Sequence, residues 1–279
     1  MMAGVSNAPA AADLLAVALE VALEAGALLL DGQRRDRVVA GTKSSVTDMV
    51  TEVDQAAEAL VEARLAQLRP GDGLVGEEGA ATESTTGVVW VVDPIDGTTN
   101  YVYGYPAFCV SVAAELHGEP VAAVVHDPQR ADTFLACRGG GAFLRNVLGE
   151  RRLELPGSGG PLAESLVGTG FGYAAERRLA QGAILAGVLG RVRDIRRGGS
   201  AALDLCSVAA GRLDAFYERG LNHWDHAAGA LIAREAGASV TTLEGGPLSP
   251  DRTVVAARPD LLEPLLALLR EAGAGGPVA

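Results

Sequence analysis

Two aspartates three positions apart are the residues of this chain best placed to do chemistry. Asp93 follows the apolar run Val88–Val92, Pro94 keeps the chain out of a helix, and Asp96 opens the sequence Asp-Gly-Thr-Thr. That sequence predicts a turn or helix start, whose first N–H groups have no partner in the helix and suit an oxyanion. Two carboxylates about 4 Å apart repel each other by roughly 4 kcal/mol at an effective dielectric constant of about 20. A divalent cation between them removes this conflict, and oxygen ligands without adjacent Cys or His favour Mg²⁺ or Mn²⁺ over zinc.

The same residues are also typical of an ordinary turn, in which Asp, Pro and Gly are all enriched. Two further acidic stretches favour the metal-site interpretation. The sequence VGEEG (75–79) places two glutamates after a short apolar run, and NHWDHAAG (222–229) places Asp225 at a predicted helix start. Because adjacent residues of an extended segment point to opposite faces, only one of Glu77 and Glu78 is expected to bind a metal.

The elements that position these residues are predicted as alternating helices and strands. Asp13 is expected to cap a helix that ends near Asp31, and GTKSSVTD (41–48) is expected to form a turn. Thr47 or Asp48 in that turn would cap a second helix that ends near Leu68, before Pro70. Strands are predicted in GLVGEEGA (73–80), VVWVV (88–92), FCVSVAAEL (108–116), PVAAVVHDP (120–128), the hairpin DTFLACRGGGAFLRN (132–146), SLVGTGFGY (165–173), DIRRGGS (194–200) and DAFYER (214–219). Further helices are predicted over about 175–189 and 201–210, in DHAAGALIAREAGA (225–238), and after Pro259.

The Pro/Gly/Ser-rich stretch LPGSGGPL (155–162) is the predicted boundary between two tightly packed halves. The prediction is a disordered lead over residues 1–10, an N-terminal subdomain over 11–157 with most of the metal ligands, and a C-terminal subdomain over 158–279 with the substrate-recognition residues and Asp225.

Composition limits the classes of function. The chain has 279 residues, of which 48% are hydrophobic, so a large soluble core is expected. Its net charge of −12 argues against nucleic acid as a partner. Cys109, Cys137 and Cys206 are odd in number and scattered, which predicts reduced thiols. The N-terminus does not resemble a signal peptide and no apolar run is long enough for a membrane span, so a cytoplasmic protein without membrane association is expected.

Five sequence blocks carry a family resemblance. KSSVTDMVTEVD, GEE, WVVDPIDGTTNYVYGYP, RRGGSAALDLCSVAAGRLDAFYE and WDHAAG follow one another in order within residues 13–270. On these blocks the chain closely resembles the inositol monophosphatase family. The resemblance implies an α/β fold of the layered αβαβα sandwich type, a Mg²⁺-dependent, lithium-sensitive type of phosphomonoesterase, and a homodimer.

The resemblance also implies roles for individual residues. One metal would be held by Glu77, Asp93 and the carbonyl oxygen of Ile95, and a second by Asp93, Asp96 and Asp225, with a third, looser ion near Glu77. Asp54 and Thr98 would orient the attacking water, and Lys43 would lie in a loop near the metal-bound waters. The Gly97 and Thr98 N–H groups would bind phosphate. The residues that would contact the substrate are Gly199, Ser200, Ala201 and Glu218, together with Asp96 and Asp225.

The sequence restricts the identity of the substrate less than it restricts the reaction mechanism. A carboxylate at Glu218 accepts hydrogen bonds from hydroxyl groups, which favours a polyol such as myo-inositol 1-phosphate. The same carboxylate would also pair with the amine or imidazolium of histidinol phosphate. Arg196 and Arg197 would suit a second phosphate, as in fructose 1,6-bisphosphate or 3′-phosphoadenosine 5′-phosphate, or would pair with surface acids. The chain departs from the family at Asn222, where a histidine is common, and in RNVLGERR (145–152), where an Asn-Gly hairpin is usual.

Three alternatives to this assignment follow from the same residues. A phosphatase with a nucleophilic aspartate would need Asp two positions before Asp96, where this chain has Pro94, so direct attack by water is expected. His223 and His226 flank Asp225 and would suit zinc or iron, although packing roles are favoured. A non-catalytic regulator would be expected to lose metal-binding carboxylates, and this chain keeps Glu77, Asp93, Asp96 and Asp225.

The glycine-rich RGGGAF (138–143) lacks a P-loop lysine and is interpreted as a turn.

Overall fold

The structure, a computed structural model, describes residues 10–34, 39–42, 49–248 and 253–275. In these residues the α-helices are α1 (Ala11–Gln33), α2 (Glu52–Leu68), α3 (Thr98–Tyr103), α4 (Ala175–Leu189), α5 (Ala201–Ala209), α6 (His223–Glu235) and α7 (Leu262–Glu271). The strands are β1 (Val39–Thr42), β2 (Met49–Thr51), β3 (Gly73–Gly76), β4 (Ala81–Thr82), β5 (Val88–Asp96), β6 (Cys109–Leu116), β7 (Glu119–Asp127), β8 (Asp132–Cys137), β9 (Gly141–Asn146), β10 (Gly149–Leu153), β11 (Leu166–Thr169), β12 (Asp194–Arg196), β13 (Ala215–Arg219), β14 (Ser239–Thr242) and β15 (Thr253–Ala257).

Within the described ranges the strands form two large sheets and one small one. The first sheet has eight strands in the order β10-β9-β8-β7-β6-β5-β3-β4, antiparallel except where β3 runs parallel to β5. The second has five strands in the order β12-β11-β13-β15-β14, with β11 parallel to both β12 and β13. The strands β1 and β2 pair only with each other.

Helices cover both faces of each large sheet. The helices α1 and α2 pack on one face of the first sheet, and α6 packs on its other face. The helix α5 packs against α6 and contacts the second sheet, whose far face carries α7 with α4 beside it. The resulting order is helix, sheet, helix, sheet, helix, which is the predicted αβαβα sandwich.

Three apolar clusters fill the spaces between these layers. The first joins α1 and α2 to the first sheet around Trp90 and Phe108, both fully buried. The second, which contains Leu205 and Ile232, lies around α5 and α6 between the two sheets. The third lies between the second sheet and α4 with α7. The middle layer, formed by α5 and α6, therefore packs against a sheet on each side, and its apolar cluster joins the two halves of the chain.

Most predicted elements are present, with specific differences. The predicted turn at 41–48 is wrong at its first two residues, which end β1, and the rest of it lies outside the described residues together with Thr47 and Asp48. The strand predicted to end at Val92 continues to Asp96, because Pro94 lies where the register against β6 slips and its missing N–H does not interrupt a regular ladder. The second helix was predicted to follow Thr47 or Asp48, which is wrong: Met49–Thr51 form β2 and α2 begins at Glu52. The strands β1, β2, β4, β10, β14 and β15 were not predicted from the sequence.

The cysteines agree with their prediction. Cys109, Cys137 and Cys206 are free thiols, and the first and last of them are buried. No helix in the described part of the chain is long and apolar enough to cross a membrane. The predicted disordered lead falls on residues 1–9, outside the described residues, and on Ala10. The prediction that Asp13 caps the first helix is wrong: Ala10 is the N-cap of α1, and Asp13 lies in its first turn.

Candidate active site

The end of β5 brings Asp93 and Asp96 to one place. Asp93 pairs with Ser111 of β6 and Asp96 with Cys109, so three steps along β5 match two steps along β6. This extra residue is a β-bulge, and it cancels the alternation that would otherwise send residues three apart to opposite faces. Asp93 accepts a hydrogen bond from the Ile95 N–H at 3.0 Å, which fixes its carboxylate against the bulged backbone.

Gly97 turns the chain out of the strand and into α3. It has φ +99°, in the left-handed region that favours glycine, and a Cβ there would lie 2.9 Å from the carbonyl oxygen of Ala107. The next residue, Thr98, places its Oγ1 3.0 Å from the Ile95 carbonyl oxygen and 3.2 Å from Oδ1 of Asp54. Since a hydroxyl has one proton, these two oxygens share it as acceptors. Asp54 is fully buried in the first turn of α2, where a negative charge is favoured.

Glu77 follows β3, the parallel neighbour of β5. Its N–H donates to the Val92 carbonyl oxygen at 3.2 Å, and its carboxylate lies close enough to Asp93 for its charge to raise the pKa of that group. The loop that carries Glu77 is held by Glu58, which the sequence analysis missed. Buried Glu58 accepts hydrogen bonds from the N–H groups of Glu78 at 2.8 Å and Ala80 at 2.9 Å.

The second half of the chain contributes Asp225 and the groups that hold Asp96. Oδ2 of Asp96 accepts hydrogen bonds from the Ser200 hydroxyl and the Ala202 N–H, both at 2.7 Å. Asp225 lies in the first turn of α6, as predicted, and its Oδ2 accepts a hydrogen bond at 2.6 Å from the N–H of Asn222. A backbone N–H group at the start of a helix therefore orients each aspartate, at α5 for Asp96 and at α6 for Asp225.

These carboxylates repel one another in a buried setting. Burial is the main cause that raises the pKa of Asp93 well above 3.8, and the charges of Glu77, Asp96 and Asp225 add to it. Burial also raises the pKa of Asp96 to about 6, although its hydrogen bonds from Ser200 and Ala202 oppose the change. The pKa of Asp225 is raised well above 3.8 by burial and then by Asp96 and Glu77.

A cluster of this kind is suited to hard divalent cations, because its donors are all oxygen and its mutual repulsion calls for positive charge. The carboxylates lie near one another without converging on a common point: within the described residues, no three His, Cys, Asp or Glu side chains are already grouped as a metal would need. The donor chemistry therefore fits Mg²⁺.

Comparison with known proteins identifies the family. The sequence model of the inositol monophosphatase family matches residues 11–274. The chain belongs to the inositol monophosphatase family. Its members are phosphatases, and this chain is therefore a phosphatase.

Individual relatives agree with this membership. The chain is 50% identical to an inositol-1-monophosphatase, SuhB, of Mycobacterium tuberculosis over 236 residues, which cover 82% of this chain and 80% of that protein. It is 37% identical over 263 residues to the Nus factor SuhB of Escherichia coli, covering 92% of this chain and 96% of the relative. The solved structure of Mycobacterium tuberculosis SuhB superposes with a TM-score of 0.81 at 45% identity, covering 95% of this chain and 98% of that one.

A cavity opens beside the carboxylates of this inositol monophosphatase family member. Its volume is about 520 Å³, within the range of roughly 300–1,000 Å³ typical of small-molecule sites. Four residues predicted for metal or substrate binding line it, namely Glu77, Gly199, Glu218 and Asp225. Burial is the main cause that raises the pKa of Glu218 to about 8, with the Arg197 charge opposing it.

Other predicted residues take different places. Ser200 and Ala201 are buried at the start of α5, and the Ser200 hydroxyl is already bonded to Asp96. Lys43 lies outside the described residues. Asn222 lines the cavity, and Arg196 makes an exposed ion pair with Asp194 at 2.6 Å.

The side chains of the two histidines near Asp225, His223 and His226, pack against neighbouring side chains. Nε2 of His223 lies 2.7 Å from Oε1 of Glu115, a buried residue of β6 that the sequence analysis did not single out. The His226 ring packs edge-on to the His223 ring, with centroids 5.3 Å apart. Burial lowers the pKa of His226 to about 3, so its ring is neutral at physiological pH. Together with Ser111, whose hydroxyl donates to the Trp224 carbonyl oxygen at 3.4 Å, the Glu115–His223 pair fixes the first turn of α6 against β6.

Proposed function

We propose that this phosphatase hydrolyses small polyol phosphates in a Mg²⁺-dependent reaction, with myo-inositol 1-phosphate as the favoured substrate and water as the direct nucleophile. The observation that carries the proposal is the buried chain of contacts from Asp54 through the Thr98 hydroxyl to the Ile95 carbonyl, beside the acidic cluster. The name of the Mycobacterium tuberculosis relative supports the choice of substrate.

In this proposal Glu77, Asp93 and the Ile95 carbonyl hold one cation, and Asp93, Asp96 and Asp225 hold a second, with a third ion near Glu77. Bound Mg²⁺ supplies a water of lowered pKa and neutralises charge on the phosphate. Asp54 is well placed to accept a proton, because it is buried and its Oδ1 faces the Thr98 hydroxyl, through which a proton from water would pass.

The remaining proposed roles concern the substrate. The N–H groups of Gly97 and Thr98, at the start of α3, bind phosphate oxygens. Glu218 accepts hydrogen bonds from the polyol, and Gly199 lines the same cavity. Ser200 and Ala201 are assigned to the substrate by the family resemblance, and Lys43, which lies outside the described residues, would complete the site.

Histidinol phosphate is the second candidate substrate. The observation that favours it is the Glu218 carboxyl group in the cavity wall. With a pKa of about 8 this group is largely protonated at neutral pH and can accept hydrogen bonds from hydroxyls, and a bound amine or imidazolium cation would favour its ionised form and pair with it. The mechanism is the same for both, so a substrate panel separates them. The panel contains these two compounds, fructose 1,6-bisphosphate and 3′-phosphoadenosine 5′-phosphate, with phosphate release measured in Mg²⁺.

The test of the site is Asp93→Asn, which removes the ligand proposed for both cations while preserving side-chain size. We expect kcat/KM to fall by at least about 100-fold, the scale of losing a group that stabilises the transition state. Asp194→Asn is the matched control, because it makes the same change at an exposed residue of β12. The Asp194 carboxylate pairs with Arg196 and accepts a hydrogen bond from the Ile195 N–H. Full turnover by Asp93→Asn, with the circular dichroism spectrum of the parent, would refute the metal assignment.

A further inference from the structure

The active-site cavity carries basic as well as acidic side chains. Besides Glu77, Glu218 and Asp225, its lining includes three arginines, which we call the arginine group: Arg177, Arg197 and Arg219. Arg177 lies in the first turn of α4, Arg197 follows β12, and Arg219 ends β13. Three cations in the lining of one cavity are unexpected in a chain with a net charge of −12, and a neutral polyol has no use for them.

Two members of the arginine group already have acidic neighbours. The charge of Arg197 lowers the pKa of both Glu218 and Asp204, and its guanidinium lies 6.0 Å from the centre of the Phe171 ring. Arg219 interacts with Glu244, whose charge raises the pKa of that guanidinium. Arg197 and Arg219 therefore each have an acidic group nearby in the absence of a ligand.

Arg177 is different. Its side chain passes between the backbones of Gly172 and Gly220: a Cβ at Gly220 would lie 2.8 Å from Nη1, and a Cβ at Gly172 would overlap Cδ. Among the residues that the structure describes, none offers a hydrogen-bond partner to its buried Nε. The two glycines thus form a slot that holds the guanidinium in the cavity lining with its Nε unsatisfied.

The neighbourhood of Arg177 increases the demand for an anion. Burial and then the charge of Arg177 lower the pKa of Arg219, so the two guanidiniums are close enough to repel each other. A guanidinium with an unsatisfied N–H in a partly buried site is costly, and an oxyanion that bridges two guanidiniums recovers that cost through charge-assisted hydrogen bonds. Guanidinium groups match carboxylate and phosphate geometry equally well.

We propose that Arg177, with Arg219 beside it, binds a second anionic group on the alcohol portion of the substrate, so that, besides myo-inositol 1-phosphate, phosphorylated polyols with an additional carboxylate or phosphate are hydrolysed, in preference to the matched polyol phosphates that lack this group. This inference rests on the proposed phosphatase function and names a further substrate class for the same site. In the reaction, water adds to phosphorus, the ester P–O bond breaks, and the leaving alkoxide takes up a proton. The second anion is bound and is not altered.

Matched substrate pairs isolate this second anion. The first pair is 6-phosphogluconate and glucitol 6-phosphate, which differ only in a carboxylate against a hydroxymethyl group, and the second is fructose 1,6-bisphosphate and fructose 1-phosphate. We expect kcat/KM to be roughly 10- to 100-fold higher for the more anionic member of at least one pair, as one charge-assisted contact would give. Arg177→Gln should abolish the preference by lowering kcat/KM for the more anionic member far more than for the less anionic member, and Arg177→Lys should restore part of the preference. A preference in one pair alone would identify the second anion as carboxylate or as phosphate.

The control variant is Arg178→Gln, which removes the same charge from the next residue of α4, outside the cavity lining. Calorimetric binding of each pair to Asp93→Asn, with and without Arg177→Gln, gives a readout that does not depend on turnover. Equal kcat/KM within both pairs for the parent protein, or an equal loss on both members in Arg177→Gln, would overturn the inference while the phosphatase proposal stands. Failure of the parent to release phosphate from any substrate would refute that proposal instead, and the calorimetric preference would still decide the role of Arg177.

Discussion

Removal of divalent metal should make the stability of this protein depend on pH in an unusual direction. Burial raises the pKa of Asp96 from 3.8 to about 6, and it also raises the pKa values of Asp93 and Asp225 well above 3.8. A carboxyl group with a raised pKa binds its proton more tightly in the folded state than in the unfolded state. Between the two pKa values the folded state holds more protons, so the free energy of unfolding falls as pH rises through that window and stays low above it.

The size of the effect follows from the Asp96 value. A change from 3.8 to about 6 is about 2 units, and at roughly 1.4 kcal/mol per unit it corresponds to about 3 kcal/mol lost by neutral pH from this residue. Asp93 and Asp225 add losses of the same sign, because their pKa values are also raised. Bound metal opposes them: at about 100 times its dissociation constant it would stabilise the folded state by about 2.7 kcal/mol.

The assay is urea unfolding followed by circular dichroism at about pH 5, 6 and 7.5, with a chelator and with Mg²⁺ in excess. In chelator the free energy of unfolding should decrease from pH 5 to 7.5, and the gain from Mg²⁺ should be larger at the higher pH. Asp96→Asn is the matched control, since its amide oxygen still accepts from Ser200 and Ala202 while carrying no charge. That variant should be more stable than the parent in chelator at pH 7.5 and depend less on pH. A parent protein whose stability in chelator is flat over this range, or an Asp96→Asn variant less stable than the parent, would contradict this reasoning.

Two other substitutions test the parts of the site separately. Gly97→Ala should cost about 1–2 kcal/mol in unfolding free energy from its positive φ alone and more from the approach of its Cβ to Ala107, with a matching loss of kcat; a variant with parental thermal stability and turnover would show that the bend does not need glycine. Glu218→Ala should change the ranking among polyol phosphates more than the overall rate, as measured by kcat/KM over the substrate panel, and an unchanged ranking would remove Glu218 from substrate recognition.

The sequence was informative where function and local structure coincide. The apolar, β-branched runs and the Ala/Leu-rich stretches predicted nearly every strand of the first sheet and the helices α4 to α6, because their periodicity reflects burial on one or both faces. The Asp-Pro-x-Asp-Gly sequence indicated a metal site through the electrostatic conflict that it creates. Asp225 at the start of α6 was also predictable, since its neighbours have helix-start character.

The features of the site that could not be predicted from the sequence depend on contacts between residues far apart in the chain. The bulge that aligns Asp93 with Asp96 exists only in register with β6, and nothing in the local sequence besides Pro94 indicates it. Glu58 reads as an ordinary helix residue until the loop of Glu78 folds onto it, 20 positions later. Arg177 likewise looks like a surface charge next to Arg178, and only the placement of Gly172 and Gly220 shows that its guanidinium enters the cavity.

The middle layer of the sandwich has a consequence for biosynthesis. The acidic residues Asp54, Glu77, Asp93 and Asp96 leave the ribosome well before Asp225, whose helix fills the space between the two sheets. A nascent chain that has completed only the first sheet therefore lacks both the apolar layer that covers it and the last proposed cation ligand. The proposed second cation site is therefore completed only when translation has passed α6, and the first sheet exposes apolar surface until then.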